Sequence, residues 1–331
     1  MSHLKPIFIN CGDPNGIGPE VTLKALINLD QTQRQRLILA GSLQQLMQIN
    51  KQLGEPLQFI EVKSIDGLCV SESIPVIVPP AVKSSEINYG SVSEFGGAVS
   101  GQGIGIGVKA CLQGSALALV TAPSSKEALH LAGYRFPGQT EMITKLAGVD
   151  RSIMILAAGQ LRVGMATTHI PLHTIATVLT KDVIVEKLQV LHQTLMQWFR
   201  VINPRIGVAA LNPHASDGGI FGNEEKLVIE PAIEIARVDG LNVTGPFPAD
   251  TLFPRYQQFD GILAMYHDQG MIPVKMAGFG KAVNLTGGLP FPRTSPDHGT
   301  AFDIAGKMRA DAGSMLEAIL TAMRTVDNVE S

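Results

Sequence analysis

The sequence predicts an α/β protein built on mostly parallel sheet. Two observations carry this expectation. Short runs rich in Ile, Val, Leu and Ala alternate with helix-length amphipathic segments, the pattern of strands covered by helices on two sides. Glycine accounts for 34 of 331 residues while aromatics make up only 5%. That balance suits many tight strand–helix turns better than a β-sandwich.

In chain order, strands are expected at 6–11, 37–40, 74–78, 116–121, 153–157, 162–167, 205–211, 261–265 and 282–285. The main helices are expected at 18–28, 124–131, 182–199, 224–238 and 312–325. The run Gly101-Gln102-Gly103-Ile104-Gly105-Ile106-Gly107 imitates a dinucleotide loop. It follows no strand, so it reads as a closely packed helix. There is no internal repeat, low-complexity tract or long linker.

At 45% hydrophobic and 17% charged residues, the chain can fill one large or two medium cores. A net charge of −3 provides no basic field for nucleic acid. No apolar run reaches membrane-spanning length, and MSHLKPIFIN lacks the ordered regions of a signal peptide. The cysteines, Cys11, Cys69 and Cys111, are odd in number and scattered, which predicts neither a disulfide framework nor a local metal pair. A cytoplasmic location is the expectation.

In open α/β sheets, ligands sit beyond the carboxyl ends of the strands. Here those ends are polar and turn-rich: 12–16 (GDPNG), 122–126 (APSSK), 167–169 (TTH), 212–214 (NPH) and 266–270 (YHDQG). His169, His214 and His267 occupy equivalent places, each just past an apolar run. Neutral imidazoles ligate divalent transition ions, and three ligands with open positions form a catalytic rather than a structural set. Taken singly, each also reads as an ordinary loop histidine. His130 and His192 fall in helix patterns, His3 lies in the tail, and His173 reads as a helix start.

Asp217, Asp250 and Asp268 can complete a metal shell or orient a ligating imidazole. Asp250 lies in GPFPADT, a stiff, turn-like stretch, and equally reads as a cap. GDPNGIGPE joins a strand to a helix start, where backbone amides favour an anion, but it lacks the G-x-G-x-x-G spacing. Toward the C-terminus, Lys275 follows His267 by two helical turns and Asn284 ends a strand. Arg293 sits in a Pro/Gly-bounded loop, placed to clamp a phosphate or carboxylate bidentately. A solvated surface charge is the alternative for Lys275 and Arg293.

Together, GDPNGIGPE, TAPSSKEAL, ATTHIPL, LNPHASDGG, GPFPADTLF, YHDQGMIPVK and VNLTGGLPFPRTSPDHGTAFDIAGK resemble the 4-hydroxythreonine-4-phosphate dehydrogenase family of pyridoxine biosynthesis. The likeness covers nearly the whole chain. GIGPE and HGTAFDIAGK are more distantly similar to segments of the isopropylmalate and isocitrate dehydrogenases, which bind NAD(P) without a Rossmann fold. The resemblance implies two α/β/α domains around a cleft. Residues 1–130 plus 300–331 would form the cofactor side, and 131–299 the metal and dimer side.

It further implies that His169, His214 and His267 ligate a divalent ion (Zn, Co or Mg) in a site shared across a homodimer. Substrate contacts are implied for Thr140, Lys275, Asn284 and Arg293. The residue before the threonine, often His in the family, is here Gln139, which hydrogen-bonds but carries no charge. His298, Gly299 and Asp303 would support NAD or NADP, with Asp303 equally a helix cap. The implied reaction oxidises the C3 hydroxyl of 4-phosphooxy-L-threonine. Lys275 or a metal-bound hydroxide would be the base, with Asp250 a third candidate. The alternatives are a D-threonate or D-erythronate 4-phosphate dehydrogenase, a phosphate acetyltransferase-like enzyme, and a non-catalytic binding protein.

Overall fold

The structure is a computed structural model, and it describes residues 5–68, 71–82, 87–278 and 280–330. His3 and Cys69 lie outside the described residues. The chain divides into two compact units, Met1–Asp150 with Leu289–Val326 and Arg151–Gly288 with Asp327–Ser331. Gln139, Thr140 and Arg293 therefore belong to the first unit, although the sequence placed them in a second domain at 131–299.

The strands are β1 Ile7–Asn10, β2 Leu37–Ala40, β3 Phe59–Glu61, β4 Ile74–Ile77, β5 Ala118–Thr121, β6 Ile153–Ala158, β7 Leu161–Met165, β8 Ile206–Ala209, β9 Val243–Phe247, β10 Gly261–Ala264, β11 Val283–Gly287 and β12 Arg293–Pro296. The first unit orders them β3-β4-β2-β1-β5-β12, every pair parallel. β1, β2 and β5 are buried at every position, as strands covered on both faces must be.

The long helix Glu94–Leu112 starts at Ser93, whose hydroxyl accepts from Gly96 N at 3.0 Å. Its glycines are packing residues. A Cβ on Gly97 would lie 1.8 Å from the Ala128 carbonyl oxygen, and one on Gly107 2.6 Å from the Phe8 ring. The glycine run is thus a helix face pressed on its neighbours, not a phosphate loop. Phe8, Ile38, Ile104 and Leu119 centre this core.

The second unit orders its strands β11-β6-β7-β10-β8-β9. The part β7-β10-β8-β9 is parallel, but β6 runs antiparallel to both β7 and β11. The sheet is mostly parallel, as expected, with β6 the exception in both of its pairs. The β6–β7 pair is a hairpin closed by the two-residue turn Gly159-Gln160, in which Gly159 supplies the φ of +57° that a tight hairpin requires. Leu156, Val163, Ile262 and Val274 pack at the centre of this unit.

Three strands escape the sequence pattern. β3 is short and mostly exposed. β9 contains the cis Gly245–Pro246 bond, and β12 lies in a proline-rich stretch. Cys11 and Cys111 are buried and free. Burial pushes the Cys11 thiol up to about 12, and Cys111 rises for the same reason. Among the described residues, no helix is long and apolar enough to cross a membrane.

Candidate active site

In the second unit, β7, β10 and β8 are neighbours. The segments carrying His169, His267 and His214 therefore leave adjacent parallel strands at the same edge. Side chains tie these ends together. Thr167 Oγ1 donates to the Met265 carbonyl at 2.8 Å. Gln269 accepts from Met265 N at 2.7 Å and donates from Nε2 to the Ala210 carbonyl at 2.6 Å. Both groups of one amide thus fix the end of β10 against the end of β8. Gln269 went unnoticed in the sequence because a helical glutamine carries no local signal.

His169 and His267 come together, with ring centroids 5.5 Å apart. His267 opens the helix His267–Ala277, and its Nδ1 lies 2.7 Å from Asp268 Oδ1. A donor hydrogen bond there leaves Nε2 as the ligating nitrogen. This pair fits an imidazole-ligated divalent ion. His214 packs on Phe221 instead, with centroids 6.3 Å apart. Among the described residues of one chain, no three His, Cys, Asp or Glu side chains gather to hold a metal.

His214 has unusual backbone. His214, Ala215, Ser216 and Asp217 all take positive φ, between 43° and 67°. Left-handed backbone costs an L-residue roughly 1–2 kcal/mol at each position. Asp217 is exposed within this turn.

Lys275 lies in the last turn of the His267 helix and is exposed. Asp250 is also exposed, in the first turn of the short helix Ala249–Leu252. The turn-like stretch expected before Asp250 is partly strand, since Gly245–Phe247 completes β9. His173 falls in a single 3-10 turn, Leu172–Thr174. Asn284 does not end a strand but is the second residue of β11. Its Oδ1 is buried with no hydrogen-bond partner. An orphaned acceptor of this kind can be completed by a ligand's donor or by water.

In the first unit, Arg293 departs furthest from expectation. It opens strand β12 rather than sitting in a loop, and only 2% of it is exposed. It pairs in register with Leu119 of β5, so its side chain runs forward to the strand's end. There Nη2 donates to Thr121 Oγ1 at 2.6 Å and Gln139 Oε1 at 3.4 Å, and Nη1 donates to Thr140 Oγ1 at 3.3 Å. Gln139 Nε2 in turn donates to the Ala122 carbonyl at 3.2 Å.

Burial pulls the guanidinium down to about 10, opposed by the negative charge of Glu141, so it stays charged at neutral pH. Gln139 and Thr140 begin the helix Gln139–Leu146, whose N-cap, Gly138, provides no side-chain cap. Uncapped first-turn amides beside a buried guanidinium have the chemistry to seat an anion. Thr121 belongs to this seat and was missed. Its only signal was a hydroxyl closing an apolar run.

The loop after β1 is also in the first unit. Asp13 is fully buried. Its Oδ1 accepts from Asn15 N at 2.9 Å, while its Oδ2 has no partner. Desolvation raises its carboxyl to about 6, partly offset by the Asn15 amide. GDPNGIGPE and HGTAFDIAGK interlock: Ile17 N donates to the Thr300 carbonyl at 3.0 Å, and a Cβ on Gly16 would meet that oxygen at 2.9 Å. His298 has a buried Nε2 without a protein partner. Gly299 and Asp303 are exposed. Asp303 caps no helix, because 302–308 is a run of turns in which its carbonyl accepts from Lys307 Nζ at 2.6 Å. Close backbone approach and an orphaned ring nitrogen are compatible with a dinucleotide lying along these loops.

Known proteins with this sequence pattern extend over the full chain. A 4-hydroxythreonine-4-phosphate dehydrogenase from Geobacter metallireducens is 41% identical, over 97% of this chain and 96% of its own. A protein from Bradyrhizobium diazoefficiens named "Putative D-threonate 4-phosphate dehydrogenase" is also 41% identical, covering 96% of each. The crystal structure of 4-hydroxythreonine-4-phosphate dehydrogenase from Klebsiella pneumoniae superposes with a TM-score of 0.89 at 37% identity, over 97% of this chain and 99% of that one. The family model of the pyridoxal phosphate biosynthetic protein PdxA matches residues 32–322, and the chain belongs to that family.

Proposed function

We propose that this protein is a 4-hydroxythreonine-4-phosphate dehydrogenase, dependent on NAD(P) and a divalent metal ion. The observation that carries the reading is the buried, charged Arg293 at an uncapped helix start, a preformed seat for a substrate phosphate. Full-length relatives carrying that name support it and favour hydride chemistry over acyl transfer.

On this reading, Arg293, Thr140 and Gln139 hold the phosphate, and Asn284 Oδ1 accepts from a donor on the substrate. His169 and His267 hold the metal ion, with His214 completing the set across a homodimer. Ile170, Leu172, Ile220 and Phe221, close to His169 and His214 in sequence, are exposed apolar side chains of the sort a second copy covers. Imidazole ligands favour Zn or Co over Mg. Such an ion supplies positive charge against the alkoxide developing at C3, and NAD(P) supplies the hydride acceptor. Lys275 Nζ takes the C3 hydroxyl proton, with Asp250 the less favoured base. The product, 2-amino-3-oxo-4-phosphooxybutyrate, is a β-keto acid and loses CO2 to give 3-amino-2-oxopropyl phosphate. His298, Gly299 and Asp303 support the dinucleotide.

The second reading is a D-threonate 4-phosphate dehydrogenase. The Bradyrhizobium relative favours it, and so does the uncharged Gln139 in the anion seat. The test is NADH formation by purified protein from 4-phosphooxy-L-threonine, D-threonate 4-phosphate or D-erythronate 4-phosphate, each with and without chelator. Turnover of the first, abolished by chelator, is expected. Turnover of a sugar-acid phosphate alone selects the second reading. No turnover of any hydroxy acid overturns both.

A further inference from the structure

Four successive non-glycine residues in left-handed backbone do not hold themselves. The run from His214 to Asp217 has φ of 53°, 53°, 67° and 43°, followed by Gly218 at 69°. Isolated L-residues visit this region singly, not as a turn of helix. The restraint comes from a residue nine to eleven positions downstream of that turn's first members. Glu225 is 1% exposed. Its Oε1 accepts from Leu211 N at 2.8 Å and Asn212 N at 2.7 Å, on the approach to the turn. Its Oε2 accepts from Asn212 Nδ2 at 3.0 Å and from Ser216 Oγ, inside the turn.

One carboxylate therefore grips the turn before and after His214. Those donors outweigh the cost of burial and hold the carboxyl below its ordinary range, so it stays ionised at neutral pH. Glu225 itself opens a π-helical turn, Glu225–Ile229, that leads into the helix Glu230–Val238. π-turns interrupt a helix at a local cost and recur where a side chain must be re-aimed.

We infer that Glu225 is a positioning residue that holds the left-handed turn in the shape that presents His214. The role assigned to His214 rests on the metal site proposed above, whereas the restraint on the turn does not. A glutamine at 225 can keep the two backbone contacts through its carbonyl oxygen but offers a donor where Asn212 Nδ2 needs an acceptor. Glycine at 215 adopts positive φ without penalty, so it relieves the need for the grip.

The experiment is a Co2+ titration of the metal-free full-length protein followed by visible absorption, with a thermal midpoint for each variant. Glu225→Ala is expected to bind Co2+ at least tenfold more weakly, with Glu225→Gln between it and the unaltered protein. Ala215→Gly alone is expected to raise the midpoint, contrary to the usual effect of glycine. Added to Glu225→Ala, it is expected to recover at least threefold of the lost Co2+ affinity, a rescue that a general packing role for Glu225 does not produce. Unchanged Co2+ affinity in Glu225→Ala overturns the inference, as does a lowered midpoint in Ala215→Gly. If Glu225→Ala does not fold, the Ala215→Gly midpoint decides alone. His214→Ala is the control: if it binds Co2+ as tightly as the unaltered protein, the metal role of His214 fails, and the midpoints still judge the grip.

Discussion

The first unit keeps its proposed phosphate-binding cluster inside. Arg293 is 2% exposed, Thr121 and Asp13 are fully buried, and Arg293 is held by side chains of its own unit. The second unit leaves its proposed metal-binding and basic side chains accessible. His169, His214, Lys275 and Asp250 are exposed, and the His267 side chain is about a third exposed. A guanidinium that must meet a phosphate is best preorganised by neighbours that desolvate and aim it. The three imidazoles proposed as metal ligands are left accessible, and one of them is set on a strained turn. The comparison predicts that substitutions in the first unit disturb both stability and binding, whereas those at the exposed histidines disturb function alone.

The largest effect should come from Arg293→Ala set beside His267→Ala. Removing a buried, hydrogen-bonded charge costs roughly 2–5 kcal/mol, or about 30- to 5,000-fold in kcat/KM. Arg293→Ala should also lower the thermal midpoint. His267→Ala should abolish chelator-sensitive turnover yet shift stability by no more than about 0.5 kcal/mol, as surface substitutions do. Equal midpoint changes in the two variants would break the contrast.

Asp13 sharpens it through pH. Its carboxyl is raised to about 6 in the folded protein, so the folded state holds the proton more tightly than the unfolded chain. The stabilisation from that proton is complete below about pH 4 and is lost as pH rises through about 6. The difference amounts to roughly 3 kcal/mol. Asp13→Asn should therefore be more stable than the unaltered protein at pH 8 and lose that advantage at pH 4. Thermal midpoints at the two pH values measure it, and a pH-independent difference counts against the buried carboxyl.

Thr121→Val tests the seat of Arg293 without removing its charge. An unsatisfied buried donor costs about 1–3 kcal/mol. KM for the phosphorylated substrate should rise about tenfold with kcat little changed, and Thr121→Ser should restore it. A fall in kcat with KM constant would place Thr121 elsewhere in the reaction.

The smallest effect concerns the glycine-rich helix. Nothing lies within 4 Å of a Cβ built on Gly105, so Gly105→Ala should stabilise the protein by about 0.5–1 kcal/mol. Gly97→Ala should destabilise it through its clash with the Ala128 carbonyl. Urea unfolding of both variants checks the pair.

Much was legible without coordinates because it is local. Period and composition located nine strands to within a few residues, and the glycine run was read as helix because it followed no strand. The three histidine segments were recognised because polar residues closed apolar runs. Arg293 and Asn284 were misplaced locally. A proline-rich stretch hides a strand whose partner, β5, lies more than 170 residues away in sequence, so no nearby periodicity reports it.

By itself, the sequence determined the α/β class, the polar, histidine-bearing strand ends and the family, since each rests on residue types at short spacing. Only the tertiary structure decided that β6 runs antiparallel to its neighbours, that Arg293 is buried against Thr121, and that His169 pairs with His267 while His214 rides a left-handed turn gripped by Glu225. The physical reason is that these are contacts between distant segments. They are fixed by strand order and burial, which local pattern does not encode.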